Sequence, residues 1–122
     1  EIDLRMIDQN FLLGHDIPEE KIELKEILEL ADSLWIHCKN IQVLEAFTSQ
    51  KYGKKLNYFW HDKDNYTLTS KGYIWSYPKS NLTQNCICVM PEWSIDINNL
   101  EKIKNYKIAG ICTDFPSKFK ND

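Results

Sequence analysis

Short apolar runs alternate with polar ones along the chain, and the period of that alternation changes from segment to segment. "EIDLR" switches between polar and apolar at every step, which predicts a strand, and "FLLGH" is a second short extended run. "EEKIELKEILELADS" spaces Ile22, Leu24, Ile27, Leu28 and Leu30 mostly at helical intervals after Pro18, a good helix start. "LWIHCKN" predicts a strand, "IQVLEAFTSQKYG" a helix stopped at Gly53, and "LNYFWH" another strand before the polar loop "DKDNYTLTSKG". "YIWSYP" and "CICVMPE" are further strands, joined by the turn-rich "KSNLTQN". "IDINNLEKIKNY" predicts a short helix capped by Asp96 or Asn98, and "IAGICTDFP" the last strand. Strands alternating with helices argue for parallel βαβ units and an α/β fold. The chain lacks the Gly-rich first turn of a dinucleotide-binding sheet.

Ionisable residues gather where these strands end. Residues two apart on a strand share a face, so Glu1, Asp3 and Arg5 lie opposite Ile2 and Leu4. By the same rule His37 and Lys39 share a face opposite Ile36 and Cys38. His61 with Asp62, Glu92 and Asp114 close three further strands. In a (β/α) barrel all such ends meet at one mouth; an open parallel sheet spreads them along an edge. Either that convergence explains them, or strand ends are simply where solvent begins. Unpartnered charges at His37 and Lys39 would cost several kcal/mol if buried, so Glu1 and Asp3 are their expected partners.

Composition narrows the function classes. The 122 residues suit one domain, or part of one, and 43% hydrophobic with 27% charged residues suits a soluble globular chain. With a formal charge of -3 and scattered Lys and Arg, no basic stripe points to nucleic acid. No apolar run reaches the roughly 18 residues of a membrane span, and there is no signal-peptide pattern. Cys38, Cys86, Cys88 and Cys112 sit in apolar runs without a CxxC pair, which reads as reduced core thiols in a cytoplasmic protein rather than disulfides.

"EIDLR" followed by "LLGHD" resembles the Glu-x-Asp strand and His-Asp element of the glycerophosphodiester phosphodiesterase group, within the phospholipase-C-like phosphodiesterase superfamily. "LWIHCKN" is similar to that family's next strand, where Glu-x-Lys is usual; here His37 replaces the Glu and Lys39 matches the Lys. The run "FWHDKDNYTLTSKGYIWSYP" through "GICTDFP" resembles small uncharacterised bacterial proteins of the superfamily. The family opens on a strand ending in His-Arg-Gly, and this chain begins downstream of it, without Met. The resemblance thus implies a TIM barrel of the phosphodiesterase kind, a single domain over residues 1–122, N-terminally incomplete and lacking its first strand–helix unit. Such barrels usually need about 250 residues; an incomplete one leaves strand edges unpaired, which predicts a homo-oligomer or low stability.

The implied activity is metal-dependent cleavage of a glycerol- or sugar-linked phosphodiester. The resemblance and the strand parity together assign Glu1 and Asp3 to a divalent Mg or Ca ion, with His37 as third ligand or phosphate donor and Glu92 as a further metal or substrate contact. Otherwise Glu1 and Asp3 form an ion-pair network with Arg5 and Lys39. The resemblance makes His15 the general acid, oriented by Asp16, and Lys39 the holder of a phosphate oxygen. Arg5, His61, Trp75 and Asp114 are the candidate substrate contacts. Trp75, with Tyr73 and Tyr77, either stacks on a sugar or headgroup or packs the core. Asp114 either serves the site or caps the following turn. The alternative to an enzyme is a non-catalytic binder of phosphorylated headgroups or sugars.

Overall fold

The computed structural model describes residues 1–77, 79–95, 102–103 and 105–120, and they fall into two compact units. The first spans Glu1–Asp62 with Thr69–Lys71; the second holds Lys63–Leu68 and the chain from Gly72 onward.

The first unit contains β1 (Ile2–Ile7), β2 (Asn10–Leu13), β3 (Glu20–Ile22), α1 (Leu24–Glu29), β4 (Ile36–Cys38), α2 (Ile41–Ser49) and β5 (Tyr58–Trp60). Its five strands are ordered β3-β2-β1-β4-β5. β1 turns back into β2 through Asp8 and Gln9, both at positive φ (50° and 67°), the two-residue geometry whose twist matches that of a hairpin. β2 pairs antiparallel with β3, whereas β1, β4 and β5 run parallel. The expected helix after Pro18 therefore starts late. Glu20–Ile22 extends instead because Ile22 lies opposite Phe11 at the sheet edge, and that pairing outweighs a weak helical preference.

One face of this sheet is apolar. Leu4, Phe11, Ile36 and Cys38 pack with Ile27 of α1, Val43 and Phe47 of α2, and Leu56. Full burial of each large aliphatic or aromatic side chain contributes about 1.5–3 kcal/mol. Asn40 fastens α2 to β1. Its side-chain oxygen accepts from Val43 N and Met6 N, both at 3.2 Å, and its amide donates to Met6 O at 2.9 Å. Asn40→Ala removes the helix cap and the strand tie together, so a loss of about 1–2 kcal/mol is expected in urea unfolding. An unchanged midpoint would mean that α2 starts without this residue. The helix ends at Ser49, and Lys51–Lys55 continue as a 3₁₀ turn through Gly53.

The second unit holds β6 (Tyr66–Leu68), β7 (Ile74–Ser76), β8 (Cys86–Val89) and β9 (Gly110–Cys112), in that order in one sheet. β6 pairs antiparallel with β7; β7, β8 and β9 are parallel. β6 lies in the stretch expected to be a loop. Three residues, two of them exposed, give too short a period-2 signal to stand out. The helix expected over "IDINNLEKIKNY" lies largely outside the described residues.

These elements overturn the TIM barrel. A barrel needs every strand parallel to both neighbours, with a helix in each connection and no free edge. Here two sheets of five and four strands stay open, and the order of each includes antiparallel pairs. Only two α-helices occur among the described residues. The physical cause at the start of the chain is the tight β1–β2 hairpin. Its two-residue turn leaves no room for a crossover helix between those strands and so pairs them antiparallel. The molecule is a small mixed α/β protein. No helix among the described residues is long and apolar enough to cross a membrane. The four cysteines are free thiols, and burial pushes that of Cys38 up to about 12.

Candidate functional site

The parallel register of the first sheet sets Asp3 beside His37 and His37 beside Phe59, one residue from each of three adjacent strands. Alternation turns this row away from the face of Leu4, Ile36 and Cys38. The His37 ring is buried, 9% exposed as a residue, and stacks on Phe59 with centroids 5.0 Å apart and planes 18° apart. Its Nδ1 lies 3.1 Å from Asp3 Oδ1, and its Nε2 lies 3.3 Å from the backbone oxygen of His61. Both nitrogens thus face acceptors. The Nδ1 contact is at ion-pair distance but off the line of a hydrogen bond, so Asp3 Oδ1 is buried without an aligned donor. His37, expected to need a partner, has Asp3.

Glu1 joins this pair from the start of the chain. Glu1 is exposed as a residue, but its carboxyl interacts with that of Asp3. Withdrawal from water, then the Asp3 charge, push Glu1 above the usual carboxylate range. Burial pulls Asp3 the same way. It is outweighed by contact with the His37 ring and its charge, the Glu1 hydrogen bond and the charge of His15, which together hold Asp3 low. The two neighbouring carboxyls are thus pushed in opposite directions and titrate as a coupled pair.

The signs give a pH prediction. Asp3, held low in the folded state, contributes stability that is present above its unfolded value, about 3.9, and lost as the pH falls through the folded one. Glu1, held high, contributes the other way, and its share is lost as the pH rises through its raised value. Asp3→Asn should therefore unfold at lower urea than the parent at pH 7. The gap should close as both are taken below about pH 4. A gap constant down to about pH 2 would mean that the His37 contact does not depend on the Asp3 charge.

His15 is brought to the site by backbone geometry. Gly14 has φ +142°, and a Cβ there would stand 2.0 Å from Ile17 O, so only glycine makes this bend. Gly14 N donates to Asp3 O at 3.2 Å, which binds the end of β2 to the strand carrying the carboxylates. The Arg5 guanidinium grips the next turn, donating to the backbone oxygens of Gly14, His15 (2.8 Å) and Asp16 (3.2 Å). Arg5, a candidate substrate contact, is thus spent on holding this loop. His15 Nδ1 lies 2.8 Å from Asp16 Oδ1, and both side chains are largely exposed. Asp16 orients the His15 ring, as the sequence leads one to expect.

The remaining candidates have contacts or surroundings of their own. Lys39 N donates to Leu4 O, and its ammonium forms no ion pair among the described residues. His61 meets His37 edge-on at 6.3 Å. Trp75, Glu92 and Asp114 belong to the second unit. Trp75 is 2% exposed, a core position. Glu92 accepts from Thr113 Oγ1, 2.8 and 2.9 Å from its two oxygens, and from Asp114 N at 2.8 Å. Thr113 Oγ1 in turn accepts from Phe115 N at 3.0 Å. Glu92 therefore clips the residues after β9 to the Pro91–Trp93 turn that follows β8.

The metal set of Glu1, Asp3, His37 and Glu92 is corrected accordingly. Among the described residues no three His, Cys, Asp or Glu side chains are grouped to hold a metal ion. Asp3 faces an imidazole, and Glu92 has donors of its own. Three contributors escaped the sequence reading: Phe59, Asn40 and Thr113. Phe59 carries a signal in hindsight, an aromatic in the strand after His37. A polar residue at a strand end such as Thr113 carries none.

The class these features define is a small mixed α/β protein with a carboxylate–imidazole site on one face of a partly parallel sheet. No family model, no curated protein and no solved structure matches the chain.

Proposed function

We propose that the Glu1, Asp3, His37 and His15 site acts on a glycerol- or sugar-linked phosphodiester, with His15 as general acid for the leaving alcohol. The observation that carries the reading is that Asp3 touches His37 and lies within electrostatic reach of His15, while His15 has its own carboxylate in Asp16. An imidazole is the side chain suited to proton transfer near neutral pH. With Nδ1 of His15 on Asp16, its Nε2 is left to protonate a departing oxygen. Water or a substrate hydroxyl attacks in line, and the Lys39 ammonium pairs with a non-bridging phosphate oxygen.

A second reading has its own support. Nε2 of His37 is engaged by the His61 carbonyl and its side chain is 11% exposed, so this imidazole is poorly placed to exchange protons with a substrate. A site with one working imidazole suits a binder of phosphorylated headgroups or sugars.

One assay separates the two. The chain is incubated with glycerol- and sugar-linked phosphodiesters, with EDTA and with added Mg²⁺ or Ca²⁺, while release of the leaving alcohol and ligand binding are followed. Release that disappears in the Glu1→Ala, Asp3→Ala double variant supports the enzyme; the EDTA arm reports whether a cation joins the two carboxylates. Saturable binding of glycerol phosphate without turnover supports the binder. Release that survives the double variant sinks the assignment.

A further inference from the structure

The second unit contains a cavity of about 230 Å³, lined mainly by apolar atoms and sharing no residue with the site above. Leu82, Pro91, Ile95 and Ile103 give its aliphatic walls, and Tyr77 and Tyr106 its aromatic ones. Dry apolar cavities of about 150 Å³ hold benzene, so this one has room for a single ring and a substituent. Cys88 on the wall is kept a neutral thiol by burial and by the nearby Glu92 charge, which preserves the apolar lining.

Lys79, Ser80 and Ser94 interrupt that lining, and Ser94 Oγ already donates to Pro91 O. Ser80 Oγ is buried without a hydrogen-bond partner, and Ser80 lines both the cavity and the wider cleft of about 500 Å³ beside it. A buried hydroxyl left unpaired is costly, so Ser80 Oγ favours a ligand that brings a hydrogen-bonding group to it. Lys79 lines the same cavity, its backbone at φ +69°, a left-handed conformation that a non-glycine residue adopts only when its surroundings impose it. The neighbouring cleft adds Lys107. An apolar hollow with one orphan hydroxyl and lysines on its lining selects an apolar body carrying one anionic, hydrogen-bonding group.

We propose that the cavity formed by Tyr77, Ser80, Leu82, Ile103 and Tyr106 binds a monocyclic aromatic acid, its ring between the tyrosines and aliphatic walls and its carboxylate toward Ser80 and Lys79. The full chain is titrated with benzoate, phenylacetate and toluene, followed by calorimetry and by amide shifts in NMR. Saturable binding of an acid with a dissociation constant on the order of 0.1–1 mM is expected. Ser80→Ala weakens it about tenfold, the loss of one hydrogen bond to a charged group. Ile103→Trp fills the hollow and abolishes binding, while Ser80→Ala, which changes little volume, keeps the test open if the larger side chain impairs folding. Toluene bound as tightly as the acids overturns the polar half of the proposal. Absence of saturation up to about 10 mM, or undiminished binding in folded Ile103→Trp, overturns all of it.

Discussion

His15→Ala is expected to lower kcat for phosphodiester cleavage by about 10²–10⁴-fold with little change in KM. The loss falls on kcat because a general acid acts on the leaving oxygen as its bond breaks, and contributes little to ground-state binding. Neither of the groups that fix His15 depends on its ring. The Gly14 bend is a backbone conformation, and Arg5 holds carbonyl oxygens. The variant therefore keeps the loop and the Asp3–His37 pair, and its urea midpoint should match the parent's. Asp16→Asn serves as the companion, since it keeps a side chain beside Nδ1 but removes the charge. A loss of about tenfold or less is expected there, because that pair is exposed. Parental kcat in His15→Ala would leave the imidazole an ordinary surface group and favour the binder.

The second large effect concerns stability. A Cβ on Gly53 would stand 1.7 Å from the carbonyl oxygen of Phe47, 2.6 Å from its carbonyl carbon and 2.9 Å from its Cα. These are backbone atoms of α2, not the end of a flexible side chain. Phe47 cannot retreat easily, because its ring is 2% exposed and meets Phe11, Tyr52 and Tyr58 at centroid distances of 6.0, 6.1 and 5.4 Å. Gly53→Ala must push the 3₁₀ turn off the helix or move Phe47 in the core. We expect at least about 3 kcal/mol lost in urea unfolding. Gly72→Ala gives the contrast. At φ +87° with nothing within 4 Å of the added Cβ, it carries only the backbone penalty, about 1–2 kcal/mol. Equal losses at the two positions would show that steric closeness to Phe47 is not what selects glycine at 53.

The sequence by itself determined the strands that have strong local signatures. "EIDLR", "LWIHC", "NYFW", "IWS" and "CICV" each carry an apolar run or alternation that survives in β1, β4, β5, β7 and β8. It also fixed which face of β1 carries Glu1, Asp3 and Arg5, since parity along a strand is a local property. The His15–Asp16 pair was legible for the same reason, as neighbours after a glycine. Pairing between strands was not. Whether Glu20–Ile22 coils or extends, and whether the strands close or form two open sheets, depends on contacts between distant segments whose energies exceed local preference. The site divided along the same line. Only the register of β1 with β4 could set His37 against Asp3, and only the fold could give Arg5 to a loop and Glu92 to Thr113. Side-chain type says what a residue can bond; which partner it meets is decided by where the backbone carries both, and that is a tertiary quantity.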